Sequence, residues 1–274
     1  MLPSLEIDRK WEGIAQGKAA LKTGRCLLLA VLAGMFIAFG ALGFTVAKAN
    51  IAGGMGKFVG ACVFPTGLIL VVMAGAELFT GNCLMAGPAV KKTIKVSGML
   101  RNWGLVYLGN MAGAYLMACI VLLSGFMKNG DLALAAAGIA ADKCSLTFGN
   151  ALFRGIGCNV LVCGAVWMAS GAKDAVGKAV CCFFPIMLFV LCGLEHSVAN
   201  MYYVPLGLNM RWAVEGGLLA REISDAVKGY DHFWAMTNLR HYLLNNLLPV
   251  TLGNIIGGAG LAMVYAAIHR EKRA

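Results

Sequence analysis

The sequence predicts an all-α polytopic membrane protein of six transmembrane helices, with the second and fifth helices broken at the midplane. Its composition, two matching polar interruptions and a repeated span predict this fold. Of the 274 residues, 59% are hydrophobic and only 13% are charged, whereas a soluble domain carries about 25% charged residues. Six spans of about 20 residues with their connections use most of the chain. No length is left for a soluble domain of ordinary size.

The interruptions are polar stretches inside otherwise apolar spans. The apolar run 64–88 contains Gly75-Ala-Glu-Leu-Phe-Thr-Gly-Asn82, and a similar stretch follows about 118 residues later. A helix broken in the bilayer exposes backbone N–H and C=O groups, which is tolerated only inside protein or against a water-filled cavity. Two such breaks in corresponding places indicate a transport site. Both breaks read Gly-x-Glu-x4-Asn, at Gly75, Glu77 and Asn82 and at Gly193, Glu195 and Asn200.

The third and sixth spans also repeat. Asn102-WGLVYLGNMAG and Asn246-LLPVTLGNIIG share both asparagines of each stretch and the glycines around the second one. The chain is therefore two halves of three spans each. Because three is odd, we expect the halves to insert with opposite topology, as an inverted repeat.

In chain order, we expect a single transmembrane channel domain over residues 1–274. It comprises an N-terminal segment 1–25, a first repeat 26–126, a second repeat 148–268 and a tail 269–274. Leu5, Ile7, Trp11 and Ile14 are spaced for a short amphipathic helix on the membrane surface. A polar connection of 20 residues should join the two repeats. The predicted spans are about 26–47, 58–89, 102–126, 148–170, 179–209 and 241–268.

The basic residues predict the orientation. Segments that share a side with the N-terminus hold fourteen Lys and Arg, and the opposite side holds eight over a greater length. By the positive-inside rule, both termini are expected in the cytoplasm. We also expect the protein to lie in the cell (inner) membrane.

Several classes of protein are disfavoured. The net charge of +10 is not arranged as a basic patch interleaved with aromatic residues, so we expect no nucleic-acid partner. The ten cysteines lie mostly in apolar runs and form no C-x2-C pair, which disfavours a disulfide framework. Cys192 and His196 could share a metal, but no further ligand has suitable spacing. We expect no metal site, no cofactor and no cleaved signal peptide.

The breaks themselves indicate the chemistry. A half-helix N-terminus carries unsatisfied N–H groups and a partial positive charge, which attract anions. Removing an ion from water completely costs tens of kcal/mol. A weak-acid anion can avoid this barrier by taking a proton and crossing the dry constriction as a neutral molecule. His196 lies inside the second break, and histidine is the side chain that exchanges protons most readily near neutral pH.

Simpler interpretations remain open for the other residues. Glu77 and Glu195 fit a structural role, accepting N–H bonds from the loops. Thr80 could face the solute, because the matching position of the second break is Val198. Lys143 reads as a solvated loop charge. Periodicity alone assigns the large apolar residues of the broken spans to the core, namely Phe64, Leu68 and Phe189.

At these stretches the sequence resembles the formate/nitrite transporter family of small-anion channels. The resemblance covers nearly the whole chain from the first span to the last. It implies an aquaporin-like fold and a homopentamer with one pore in each protomer. It is strongest at GAELFTGN (75–82), at EHSVAN (195–200), at Lys143 and the following span, and at NNLLPVTLGNIIGG (245–258).

The resemblance also implies residue roles. The family's central threonine and histidine fall on Thr80 and His196, and its anion-attracting vestibule lysine falls on Lys143. Its two path-facing asparagines fall on Asn159 and Asn254. Asn82 and Asn200 remain loop-structuring residues together with the two glutamates. The family's hydrophobic gates fall on Phe64, Leu68 and Phe189.

We therefore expect transport of a small monovalent weak-acid anion, formate first, linked to protonation at His196. The partners are the anion, protons, membrane lipid and identical subunits. Nitrite or hydrosulfide is the alternative within the family. A pore for neutral solutes such as water or glycerol is expected to carry Asn-Pro-Ala at both half-helix ends, and neither break contains this motif. A role as a membrane-embedded redox or metal enzyme is disfavoured, because the predicted spans contain no paired histidine ligands. A scaffold role would leave both breaks unexplained.

Overall fold

Hydrophobic helices make up most of the structure. The computed structural model describes residues 1–217 and 219–269, so the predicted basic tail beyond His269 lies outside the described residues. Within these described residues, five helices are long and apolar enough to cross a membrane, and one shorter apolar helix accompanies them. The chain is a multi-pass membrane protein. The five long helices are Thr23–Asn50, Gly53–Ala74, Val96–Leu123, Phe148–Gly171 and Leu239–Ile268, and the shorter one is Ala175–Leu191.

Helix α1 (Ser4–Ala19) is amphipathic, but its apolar face packs on the protein rather than on the membrane surface. Ile7, Trp11 and Ala15 recur every four residues and are all buried. The indole N–H of Trp11 donates to Oγ of Ser170 at 3.0 Å. The apolar face of α1 therefore lies against the protein's own helices, and its location at the membrane surface stays a prediction.

The first half of the chain contains the first broken span. Helix α2 (Thr23–Asn50) is followed by α3 (Gly53–Val63) and α4 (Thr66–Ala74), which meet at Phe64 and Pro65. The chain then breaks and resumes as α5 (Phe79–Asn82), a 3₁₀ turn (Cys83–Met85) and α6 (Ala86–Val90). Helix α7 (Val96–Leu123) completes this half.

The second half begins with a helix that the sequence did not predict. Residues 130–144, expected to be a polar connection, form α8 (Gly130–Cys144). The charged residues of α8 lie near its ends. The residues between them are mostly buried, and most of the buried ones are alanines. The succeeding elements are α9 (Phe148–Gly171), α10 (Ala175–Leu191), α11 (Ser197–Gly216), a 3₁₀ turn (Asp225–Gly229), α12 (Asp231–Met236), α13 (Leu239–His241), a π-helical turn (Tyr242–Leu247) and α14 (Leu248–Ile268).

Glycines bring the helices of each half into backbone contact. A Cβ on Gly113 of α7 would lie 2.0 Å from the carbonyl oxygen of Val31 on α2. A Cβ on Gly257 of α14 would lie 2.2 Å from that of Ile156 on α9. Such close approach is how small residues pack transmembrane helices. The contacts correspond position by position, so the sequence repeat is also a repeat of packing.

Candidate functional site

The first break interrupts the second span at Gly75–Leu78. Gly75 ends α4 with a φ of +69°, a left-handed conformation that glycine adopts without steric cost. The backbone N–H of Glu77 then donates to the carbonyl of Leu29 at 3.2 Å. Helix α5 begins at Phe79, which is buried. The break therefore places a helix N-terminus inside the protein, where its N–H groups need partners.

Asn110 of α7 supplies these partners. Its Oδ1 accepts the backbone N–H of Phe79 at 2.9 Å. Its Nδ2 donates to the carbonyls of Ala30 and Glu77 at 2.8 and 2.9 Å. One carboxamide thus satisfies the start of the half-helix and ties the loop to α2. Although the repeated asparagines were visible in the sequence, this role could not be assigned there.

The second break, at Cys192–His196, has the same construction. Gly193 has a φ of +70°. The backbone N–H of Glu195 donates to the carbonyl of Arg154 at 3.3 Å. Helix α11 then begins at Ser197, which is also buried.

Asn254 of α14 matches Asn110. Its Oδ1 accepts the backbone N–H of Ser197 at 2.9 Å, and its Nδ2 donates to the carbonyls of Gly155 and Glu195 at 2.8 and 3.0 Å. Both hydrogens of the Asn254 amide are therefore used within the protein. Its amide donors are bound to backbone, and its path-facing role stays a prediction.

The glutamates of the breaks bind asparagines. Nδ2 of Asn82 donates to Oε2 of Glu77 at 2.7 Å and to Oδ1 of Asn102 at 2.8 Å. The second half has the same two contacts at 2.7 Å each, among Glu195, Asn200 and Asn246. These polar groups are buried, where an unpaired polar atom is costly. These hydrogen bonds hold each break against the third membrane span of its half.

Lys143 is paired rather than free. Its Nζ lies 2.9 Å from Oε2 of Glu195 and 5.3 Å from the centre of the Tyr203 ring. Asn246 donates to the carbonyl of Lys143 at 3.1 Å. The sequence interpretation of Lys143 as a solvated loop charge is wrong, because only 14% of the side chain is exposed.

The first half contains a matching lysine that sequence reasoning missed. Nζ of Lys18 lies 2.7 Å from Oε1 of Glu77, and Asn102 donates to the carbonyl of Lys18 at 3.2 Å. Lys18 is the last residue but one of α1, as Lys143 is of α8, so these two short helices also correspond. The signal was a shared Lys-x2-Leu-x2-Gly pattern, at 18–24 and 143–149.

Between the two breaks, Thr80 and His196 face each other. Oγ1 of Thr80 lies 2.8 Å from Nε2 of His196, and both residues are buried. Nδ1 of His196 accepts the backbone N–H of Ala199 at 3.2 Å, so it carries no proton. The network therefore assigns the ring hydrogen to Nε2, which donates to Thr80. The corresponding residues of the opposite halves are apolar, namely Val198 and Leu78.

Asn159 of α9 adjoins this pair. Its Nδ2 donates to the carbonyl of Thr80 at 3.2 Å and to the carbonyl of Asn254 at 2.6 Å. Cys163 of the same helix also donates to the Thr80 carbonyl, at 3.2 Å. We call Thr80, His196 and Asn159 the waist.

Large apolar side chains pack beside the waist. The rings of Phe64 and Phe189 meet edge to face with centroids 5.6 Å apart. The Phe189 ring lies 5.9 Å from the His196 ring. Leu68 is 1% exposed, and Leu78 of the first break, which sequence reasoning did not name, is 3% exposed.

A buried polar waist between two broken helices, covered by aromatic rings, is the arrangement of a membrane transport protein for a small solute. Within the described ranges, no three His, Cys, Asp or Glu side chains lie together as metal ligands would.

Comparison with known proteins assigns the family. A family model described as formate/nitrite transporter matches residues 6–268. A probable formate transporter of Methanothermobacter thermautotrophicus is 39% identical over 90% of this chain and 89% of its own length. The formate channel FocA of Escherichia coli K12 is 35% identical over 92% and 88%. The chain belongs to the formate/nitrite transporter family, so it is a transport protein and not an enzyme.

Solved structures agree on the fold. A pentameric formate channel with formate bound has a TM-score of 0.77 and 33% identity, over 90% of this chain and 96% of that chain. An FNT family ion channel has a TM-score of 0.80 and 25% identity, over 96% and 98%.

Proposed function

We propose that this chain carries a small monovalent weak-acid anion, formate first, through a path in each protomer, and that passage is linked to protonation at the waist. The observation that carries the proposal is the buried Thr80–His196 pair, which lies between two half-helix N-termini. The named relatives and the formate-bound neighbour support formate over nitrite or hydrosulfide.

The half-helix ends supply the attraction for an anion. The helix that follows the second break, α11, is 20 residues long, and its N-terminus lies at the waist. A helix N-terminus acts as about half a positive charge. The ion pairs Lys143–Glu195 and Lys18–Glu77 place one lysine ammonium at each break. They add little net charge, because each lysine is neutralised by its glutamate.

The contact between Phe64 and Phe189 then decides in which form the solute passes. It leaves no room for a hydrated ion, and stripping an ion of its water costs tens of kcal/mol. The anion therefore takes one proton near the waist, crosses as the neutral acid and returns the proton to water on the other side. His196 holds this proton only transiently, since protonating Nδ1 breaks its bond to Ala199.

The pentameric neighbour supports a proposed assembly, and the distribution of Lys and Arg supports a proposed orientation. We infer a homopentamer in the cell (inner) membrane, with six crossings per protomer, of which α10 and α11 together form the fifth. The two halves insert with opposite topology in an aquaporin-like fold. Both ends of the described chain lie on one side, since Leu2 bonds Gly171 at 2.9 Å and Trp167 of the same helix stacks on Tyr265 at 4.3 Å. We assign that side to the cytoplasm from the distribution of Lys and Arg.

Flux into proteoliposomes tests the proposal. Wild-type protein should take up formate faster when the outside is made acidic. His196→Ala should lose this acceleration, because the donor to Thr80 is gone. His232→Ala is the matched control, since that imidazole is 42% exposed and belongs to α12, outside the waist.

Unchanged pH-dependent uptake by His196→Ala would overturn the role of the histidine. Faster flux of nitrite or hydrosulfide than of formate would change the substrate, and free passage of glycerol would favour the neutral-solute pore.

A further inference from the structure

Helix α11 extends beyond the length of its counterpart in the first half. Counted from the glycine of each break, the last residue of α6, Val90, corresponds to Leu208, whereas α11 continues to Gly216. The extra residues make about two further helical turns. They lie beside the last turns of α7, since Nδ2 of Asn209 lies 3.7 Å from Sγ of Cys119. The contact between the ends of α7 and α11 is therefore a departure from the repeat.

An apolar cleft of about 280 Å³ lies at this contact. Leu122 and Leu123 of α7 line it together with Ala213 of α11, and so do the rings of Tyr115 and Trp212. Leu123, Tyr115 and Trp212 are exposed, so the cleft opens on the outer surface of the protomer. Tyrosine and tryptophan are typical of the boundary between lipid and water.

The depth of the cleft matches one leaflet of a bilayer. Along α11, Asn209 lies about 18 Å from Ser197, which begins the helix at the waist. Along α7, Tyr115 lies about 8 Å from Asn110, which binds the first break. Half of the hydrocarbon core is about 15 Å thick. If the breaks lie at the midplane, as the sequence predicts, the cleft runs from the level of the acyl chains to the level of the glycerol esters.

A second cleft, of about 510 Å³, adjoins the first beyond the end of α7. The two clefts share the same stretches of chain: Leu123 and Leu219 line the first, whereas Lys128 and Arg221 line the second. These stretches are in contact, because a Cβ on Gly125 would lie 3.8 Å from a carboxylate oxygen of Glu222. The second cleft therefore lies at the level of lipid headgroups.

The second cleft carries an excess of positive charge. Nζ of Lys128 lies 3.0 Å from Oε2 of Glu222, and Lys228 pairs with Asp225 at 2.5 Å. The guanidinium of Arg221 has no ion-pair partner in the described part of the chain. Arginine binds phosphate through two parallel N–H bonds. The cleft therefore offers one cation that is free to bind a phosphate.

An apolar cleft in one leaflet, with a cationic cleft above it, has the shape and charge of an anionic phospholipid. Basic pockets beside transmembrane helices bind such headgroups. A neighbouring subunit is a poorer occupant, because a guanidinium buried at a protein contact needs an acid from the partner. A phospholipid supplies its own negative charge.

We propose that the two clefts together bind one anionic phospholipid on each protomer. One acyl chain lies along Leu122 and Leu123, the second N–H of the Asn209 amide donates to an ester carbonyl, and the phosphate binds Arg221. This inference goes beyond the proposed function, since neither cleft includes a residue of the waist.

Native mass spectrometry of the purified, delipidated assembly tests this site, with dioleoylphosphatidylglycerol as the probe. We expect one molecule per protomer. Dioleoylphosphatidylcholine, whose choline cancels the phosphate charge, should bind about tenfold more weakly, and so should glycerol 3-phosphate, which has no chains. Arg221→Gln should weaken binding of phosphatidylglycerol about tenfold or more, because a charge-assisted hydrogen bond is lost. Lys57→Gln is the matched control: it removes an exposed cation of α3 that lines neither cleft, and should bind like the wild type.

A second variant tests the apolar cleft. Ala213→Phe fills it and should weaken binding about tenfold although Arg221 is present. Should this variant fail to assemble, Leu123→Ala, which shortens an exposed wall of the cleft, should weaken binding about fivefold.

Equal binding of phosphatidylglycerol by the wild type and Arg221→Gln would overturn the inference, as would equal binding of the two phospholipids. Unchanged binding in the variants of the apolar cleft would contradict its part. A wild-type assembly that binds no lipid, and whose subunits separate in Arg221→Gln, would identify the clefts as a contact between subunits and would also overturn the inference. These readouts do not use formate uptake, so failure of the proposed function is distinguishable from failure of the lipid site.

Discussion

At the scale of residues, Thr80 and His196 occupy the positions where the two halves differ in polarity. Leu78 and Val198, their counterparts, are apolar, so the path that we propose has one polar and one apolar side at this constriction. The sequence identified Thr80 and His196 because a polar residue in an apolar span stands out. It did not give the tautomer of His196, which depends on the backbone of Ala199 three residues along the chain.

The ion pair of Lys18 is a feature that the structure reveals and the sequence analysis missed. In the sequence Lys18 is one of five basic residues before the first span, and the Lys-x2-Leu-x2-Gly pattern that it shares with Lys143 is the signal that distinguishes it. The structure pairs it with Glu77, 59 positions away, and only 18% of its side chain is exposed.

We predict that Lys18→Met lowers the free energy of unfolding, because it leaves the Glu77 carboxylate buried and unpaired. The cost should be about 2–3 kcal/mol, less than for a fully buried pair because Lys18 is partly exposed. Thermal unfolding of the purified protein measures it. The double variant Lys18→Met with Glu77→Gln removes the charge and should recover most of the loss. A double variant no more stable than the single one would show that the ion pair is not the cause.

At the scale of elements, the breaks were predictable and α8 was not. Gly-x-Glu-x4-Asn in an apolar run marks each break, since a helix in lipid has no use for such residues. Helix α8 has Asp131 near its start and Asp142 and Lys143 near its end, so the connection reads as polar. The alanines between them pack against neighbouring helices, and this tertiary burial is invisible to a scan for charged residues.

The left-handed glycines that end α4 and α10 carry a prediction at this scale. Gly75→Ala should cost about 1–2 kcal/mol, because its φ of +69° is strained for any residue with a Cβ. No atom would lie within 4 Å of the new Cβ, so strain alone is measured. Gly104→Ala in α7 is the matched control: it also has open space but a helical backbone, and it should stabilise the protein by about 1 kcal/mol. Equal midpoints of thermal unfolding for the two variants would contradict this account.

At the scale of the whole molecule, the repeat extends further than the sequence indicated. The sequence matched three spans with three spans, whereas the structure also pairs α1 with α8, each with a lysine in its last turn that binds the glutamate of a break. Two copies of one arrangement place two half-helix N-termini on either side of a single waist. Hydropathy marks the apolar spans along the sequence, but the contact across the waist joins Thr80 and His196, which are 116 positions apart, and needs the folded chain.

The account depends on the solute crossing this waist as a neutral acid, and the charge moved per formate tests that claim most directly. Proteoliposomes with clamped membrane potential, an internal pH indicator and labelled formate allow charge, protons and solute to be counted together. We predict one proton carried with each formate, no net current, and a rate that does not respond to the membrane potential. A current that follows formate without acidification of the lumen would show that the bare anion crosses, and would contradict the account.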